Sequence, residues 1–226
     1  MTLADNLALV RDRIHRAALA AGRDPAAVAL VAVTKTWPAS AVRDAYALGL
    51  RDFGENYAQE FVEKADALAD LAELRWHFIG HLQTNKARVV APRAAAVHTV
   101  DTAKLAHELG LRAAAAGRVV EALVQVSVAG EAQKSGCAPA DVAAVCDAVA
   151  REPALRLRGL MTVPPHTDDP AGARPHFEAL AALRDAHGGA ARLPELSMGM
   201  THDLEVAVAC GATMVRVGSA LFGVRT

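Results

Sequence analysis

Apolar residues recur along the chain in two alternating rhythms. Leu3, Leu7, Val10, Ile14 and Ala18 fall three or four apart, the spacing of one helix face, and Gly22 ends that segment. Residues 28–35, Val-Ala-Leu-Val-Ala-Val-Thr-Lys, are mostly β-branched or small, the composition of a strand buried on both faces. Pro38 then stops further ladder pairing. The exchange continues with a helix predicted over 40–48, a strand over 52–56, a helix over 57–74 and a strand over 76–80. A helix over 85–90, a strand over 96–101 and an alanine-rich helix over 102–116 follow. The second half predicts strands over 119–128, 155–163, 195–200 and 214–222. Helices over 139–151, 169–187 and 203–210 separate them, and Gly188, Gly189 and Gly211 punctuate their ends.

Strand and helix alternate eight times with no break in composition and no long linker. Such alternation implies parallel strands joined by right-handed crossovers. Eight units fit an α/β fold of the (β/α)8 TIM-barrel type, with an extra N-terminal helix and a single domain over 1–226. A doubly wound sheet accommodates the same elements, so the pattern leaves both architectures open.

Composition narrows the function more than the fold. Of 226 residues, 53% are hydrophobic and 22% charged, enough to fill one core and cover it with an ordinary soluble surface. A net charge of −1 gives no electrostatic support to a nucleic-acid or anionic-membrane role. No apolar run reaches the roughly 20 residues of a bilayer span, and the N-terminal stretch has no signal-peptide core. A cytoplasmic protein is expected. Cys137, Cys146 and Cys210 are odd in number and outside any CxxC, which suggests neither disulfides nor zinc.

In either architecture a ligand belongs at the carboxyl ends of the strands. Lys35 stands at the first of these, where an amine in an apolar site becomes a Schiff-base nucleophile; a lysine snorkelling from a strand end is the plainer alternative. At the last two strands, Ser197-Met198-Gly199-Met200-Thr201-His202-Asp203 and Val215-Arg216-Val217-Gly218-Ser219 carry small hydroxyl residues and glycines. Barrel phosphate sites are often built there, since glycines let backbone N–H groups approach and Ser197, Thr201 and Ser219 add hydroxyls. Alone, each loop is equally well read as a helix cap and a tight turn. A lysine facing a phosphate site suggests a phosphorylated carbonyl compound, either pyridoxal 5′-phosphate or an aldolase substrate. Arg216 would favour the first in a non-catalytic role, because an arginine against a pyridine nitrogen keeps it unprotonated and weakens the electron sink. A structural ion pair is the alternative for Arg216. His77 and His81 are four apart on a strand and turn, a spacing that does not converge on a metal, and are read as packing or hydrogen-bonding residues; His98 and Asp101 are read as belonging to a strand end and a helix cap.

Seven stretches together resemble the pyridoxal phosphate homeostasis proteins, lone barrels similar to the N-terminal domain of alanine racemase. They are Val31-Ala32-Val33-Thr34-Lys35, Phe53-Gly54-Glu55-Asn56-Tyr57, Trp76-His77-Phe78-Ile79-Gly80, Lys134-Ser135-Gly136, Leu157-Arg158-Gly159-Leu160-Met161 and the two terminal stretches above. The resemblance implies that Lys35 holds pyridoxal 5′-phosphate as a Schiff base. It implies that Ser197, Met198, Thr201, Gly218 and Ser219 surround the phosphate, that Arg216 faces the pyridine nitrogen, and that Asn56 lies near the ring. Lys134 matches a basic residue near the cofactor's phenolic oxygen in the racemase. Thr201 stands where serine is commoner, and Ser127 where asparagine often stands, so a contact from strand five is in doubt.

Three functions follow. The first is a carrier that buffers pyridoxal 5′-phosphate and hands it to apoenzymes; the second is a racemase or another enzyme using that cofactor; the third is an aldolase. Racemisation needs an acid/base on each face of the substrate, and in the racemase one is a tyrosine of a C-terminal β-domain, which is not expected here because the sequence stops a few residues after the eighth strand. Tyr46 and Tyr57 are no evident replacements. The aldolase lacks a carboxylate adjoining Lys35 in sequence. The carrier is therefore expected, as a monomer or weak dimer.

Overall fold

A computed structural model describes residues 1–129 and 135–223. Eight parallel strands close into a barrel in the order β1 to β8, which removes the doubly wound alternative. Closure is direct. On one side of β1 (Ala29–Val33), Ala32 pairs with Phe53 of β2 (Asp52–Glu55); on the other, Val31 pairs with Arg216 of β8 (Met214–Val217). Between them run β3 (Arg75–Phe78), β4 (Ala96–Val100), β5 (Val120–Gln125), β6 (Leu155–Met161) and β7 (Glu195–Ser197).

The opening helix, α1 (Leu3–Ala20), has the predicted face: Leu7, Val10, Ile14 and Ala18 are buried. A capping box between Thr2 and Asp5 starts it by satisfying two otherwise orphaned N–H groups. Helices α2 (Ala39–Ala47), α3 (Ala58–Ala67), α4 (Ala87–Val90), α5 (Ala103–Ala115), α6 (Val142–Ala150), α7 (Arg174–Ala186), α8 (Gly189–Arg192), α9 (Leu204–Ala209) and α10 (Ser219–Phe222) complete the chain. The apolar core lies between these helices and the outer faces of the strands, where Phe53, Phe61 and Trp76 meet at ring distances of 5.8–6.2 Å. The barrel interior is more polar, with His98, Ser197 and Arg216 buried inside it.

Beyond shifts of a few residues at element ends, three elements differ in kind or extent from the sequence expectation. The helix expected over 57–74 is the shorter α3, because Leu68, Leu71 and Leu74 follow at intervals of three. That spacing suits tight turns, and the N–H groups of Leu71 and Leu74 bond three residues back. The strand expected over 214–222 stops at Val217 and continues as α10. A short apolar run fits a buried helix as well as a strand, and Leu221 is buried here while its carbonyl accepts Asn6 Nδ2 of α1. The seventh strand ends at Ser197, because Gly199 turns the chain at φ +92° and a Cβ there would come within 2.5 Å of the Ala207 Cβ.

Candidate functional site

The first strand ends at Val33, two residues before Lys35, where its run was expected to end. Thr34 remains paired through its N–H to the Gly54 carbonyl and is buried, whereas Lys35 is exposed. Thr36 has φ +67°, the left-handed region that β-branched residues rarely occupy. What holds this turn is a buried cluster beneath it. Lys64 of α3 donates to the Thr34 carbonyl at 2.6 Å, to Glu55 Oε1 at 2.6 Å and to Glu60 Oε1 at 2.7 Å. Thr34 Oγ1 also donates to Glu55, and the Thr36 N–H donates to Glu60. Burial pushes the Glu55 carboxyl above its usual range, against the pull of Lys64 and Thr34. The carboxylate that sequence adjacency could not supply is thus near the Lys35 loop, but it is committed to Lys64.

Across the mouth, the turn after β7 and the start of α10 meet. Ser219 Oγ donates to Thr201 Oγ1 at 3.2 Å, and the Thr201 carbonyl accepts Arg13 Nη2 of α1 at 2.9 Å. Arg13 is itself forked onto Glu205, so the extra N-terminal helix braces this loop. Thr201 does not cap α9: Asp203 occupies that position, and its Oδ1 accepts the Met200 N–H.

Lys35, Asn56, Thr201, Arg216, Gly218 and Ser219 line one cavity of about 400 Å³ at the carboxyl end of the barrel. Val33, Ile79, Val163 and Met200 give it apolar walls, and His202 joins it from the same turn as Thr201. Asn56 Oδ1 is buried at this wall without a hydrogen-bond partner among the described residues. A groove of about 600 Å³ beside Trp37 and Glu63 is larger, but no comparable set of hydroxyls and cations converges on it.

Two expected residues stand elsewhere. Ser197 and Met198 are fully buried below the mouth and do not line the cavity. Ser197 Oγ lies between Arg216 Nη1 at 2.6 Å and His98 Nδ1 at 2.9 Å, while the Met198 N–H is spent on the Met214 carbonyl. Their strand runs one step deeper into the barrel than the motif alone suggests. Lys134 lies outside the described residues. His77 is the buried hydrogen-bonding residue the sequence suggested, and its partner at 2.9 Å is His98, buried inside the barrel, a pairing the sequence did not reveal. Burial, followed by the neighbouring His77 and Arg216, holds His98 well below the ordinary histidine range. Burial likewise lowers Arg216 to about 10, with Asp203 opposing. Alternation along the fourth strand could have flagged His98, a lone polar ring in the run Ala96-Val97-His98-Thr99-Val100.

A parallel barrel with a lysine on its first strand turn, facing hydroxyls and a buried arginine from its last two units, defines the class of alanine-racemase-like barrels. Residues 4–226 match the family described as alanine racemase, N-terminal domain. The fold also superposes on alanine racemase from Corynebacterium glutamicum with a TM-score of 0.67 at 19% identity, covering 98% of this chain and 62% of the racemase. A pyridoxal phosphate homeostasis protein of Pseudomonas aeruginosa is 52% identical over 99% of this chain and 96% of its own length. The PLP-bound structure of PipY from Synechococcus elongatus matches with a TM-score of 0.82 and 37% identity, covering 98% of this chain and 100% of that one. The chain belongs to the pyridoxal phosphate homeostasis protein family. Among the described residues, no helix is long and apolar enough to cross a membrane, and no cluster of three or more His, Cys, Asp or Glu side chains could hold a metal ion.

Proposed function

We propose that this protein binds pyridoxal 5′-phosphate in the carboxyl-end cavity and takes part in intracellular homeostasis of that cofactor, holding it through Lys35. The observation that carries the reading is the convergence of Lys35, Thr201, Ser219 and Arg216 on one cavity, with a buried amide oxygen in its wall that has no partner among the described residues. An amine suits the aldehyde, paired hydroxyls suit the phosphate, and a guanidinium suits the pyridine edge. When bound, the cofactor supplies an electrophilic aldehyde and an aromatic ring able to accept electrons.

The chain's own residues do the rest. Lys35 would hold the cofactor by condensation of its amine with the aldehyde, with loss of water and no redox change. Ser219 and Thr201 hold the phosphate end, with Gly218 leaving room for close backbone approach. Asn56 supplies a polar contact to the ring. Ser197 acts by holding Arg216 rather than by touching phosphate. Arg216 remains cationic near neutrality even with its lowered value, so it donates to the ring nitrogen and does not protonate it. That arrangement, together with the homeostasis names of the relatives, favours a carrier over a racemase. Neither tyrosine lines the cavity: Tyr57 is exposed before α3, and Tyr46 stacks under Arg51 at 4.0 Å. Transfer to apoenzymes is the role this reading assigns to the loaded protein.

The test uses one preparation. Protein incubated with pyridoxal 5′-phosphate is expected to turn yellow, and borohydride should fix pyridoxyl mass on the peptide holding Lys35. A protein that stays colourless, or that carries the label elsewhere, overturns the assignment. Amino-acid turnover by the loaded protein at roughly 1 per second or more would replace the carrier with an enzyme.

A further inference from the structure

A line of buried polar groups crosses the barrel from its floor to the cavity. At the floor, Asp52 at the start of β2 accepts Arg75 Nε at 2.7 Å and lies 2.8 Å from His77 Nε2. His77 Nδ1 is 2.9 Å from His98 Nε2, and His98 Nδ1 is 2.9 Å from Ser197 Oγ. Ser197 Oγ in turn accepts Arg216 Nη1 at 2.6 Å, and Arg216 Nη2 is fixed on the Thr162 carbonyl at 2.9 Å. His77, His98, Ser197 and Arg216 are each less than 6% exposed, so water does not compete for these bonds.

The hydrogens of this line can be counted. A guanidinium has no acceptor, so the first bond can run only from Arg216 to Ser197. The single hydroxyl hydrogen of Ser197 must then go to His98 Nδ1. His98, neutral in its buried site, therefore carries its hydrogen on Nε2 and donates to His77 Nδ1. His77 carries its own on Nε2 and donates to Asp52. The reverse register leaves the Ser197 hydroxyl with two incoming donors and no acceptor among the described residues, a cost of about 1–3 kcal/mol for a buried group. Only one direction satisfies every atom.

We propose that Asp52, His77, His98 and Ser197 form a one-way hydrogen-bond wire that orients Arg216, making Asp52 and His77 at the barrel floor positioning residues for the cavity at the opposite end. Asp52 is the anionic terminus that sets the direction. His77 and His98 transmit it because each ring has one donor and one acceptor. Ser197 converts it into a fixed acceptor for Arg216, and the remaining guanidinium hydrogens are left to face the cavity. The effect of this orientation on a bound cofactor rests on the proposed function; the wire itself does not.

Ligand-free, nitrogen-15-labelled protein near neutral pH is the first test. Both His77 and His98 should give ring nitrogen shifts of neutral Nε2–H tautomers; a doubly protonated ring or an Nδ1–H tautomer at either position overturns the wire. His77→Phe removes the acceptor of His98, whose hydrogen should move to Nδ1, with a displaced Arg216 side-chain nitrogen signal. His77→Gln restores both an acceptor and a donor and should return His98 and Arg216 to their original shifts. Unchanged Arg216 signals in folded His77→Phe overturn the positioning role. If His77→Phe does not fold, His77→Gln still decides, since loss of the His98 Nε2–H tautomer there contradicts the scheme. With pyridoxal 5′-phosphate bound, His77→Phe should shift the absorption maximum while stoichiometry stays one per chain. Colourless protein with the expected tautomers would remove the proposed function and leave the wire standing.

Discussion

Lys35 and Lys64 flank the same turn and are used in opposite ways. Lys64 is 6% exposed at its side chain and spends its ammonium on two carboxylates and a backbone carbonyl. Lys35, one residue beyond that carbonyl, is exposed at a cavity mouth and makes no such pairing with the described residues. The difference teaches that charge alone does not mark a reactive lysine. Lys64 has all its hydrogens committed to buried acceptors, whereas Lys35 is held in place by its backbone and its side chain is left at the cavity, which is why the proposed function assigns the Schiff base to Lys35.

The comparison can be broken at several points. The largest effect should come from Lys64→Met, which strands Glu55 in a buried site; we expect a loss of about 3–5 kcal/mol in urea unfolding. A loss below about 1 kcal/mol would mean that the cluster does not hold the turn. Asp52 carries the comparison to the other end of β2. There burial raises the carboxyl, but hydrogen bonds from His77 and Arg75 outweigh it and hold it below its usual range. A depressed value means that the folded state binds fewer protons than the unfolded one. The contribution is present above the ordinary carboxyl value near 4 and lost as pH falls through the folded one. Asp52→Ala should therefore cost about 1.5–3 kcal/mol at neutral pH, and its deficit should shrink in acid. Glu60→Gln keeps an acceptor for Thr36 and removes one charge from Lys64, so a loss of about 1 kcal/mol is expected. The smallest effect on stability belongs to Lys35→Ala, within about 0.5 kcal/mol of the parent, although borohydride fixation of pyridoxyl mass should disappear completely.

The barrel was legible because it rests on repetition. Eight apolar runs separated by helical spacing, each bounded by Gly, Pro or a polar cap, leave few other ways to bury so much surface. Lys35 was legible for a related reason, since a cation ending a buried run demands an explanation. What stayed hidden depends on depth inside the barrel. Ser197 and Thr201 belong to one motif, yet Gly199 turns the chain between them, so one is locked under Arg216 and the other lines the cavity. Lys64 looks like any charged residue of an amphipathic helix until the register of β2 puts Glu55 beside it. Ser219 looked like the continuation of a strand because Ala220, Leu221 and Phe222 are apolar in both settings. Long-range partners of this kind leave no local rhythm to read.

Thr36 has one more consequence. A β-branched residue at φ +67° stores about 1–3 kcal/mol of backbone strain, and the Thr36 N–H to Glu60 bond together with the Lys64 cluster offsets it. The backbone on both sides of Lys35 is therefore tied to buried groups in the folded chain. A ligand arriving at the mouth has only a side chain to order, so little backbone conformational entropy is subtracted from affinity. The strained turn thus places the Lys35 backbone at the cavity mouth without help from a ligand.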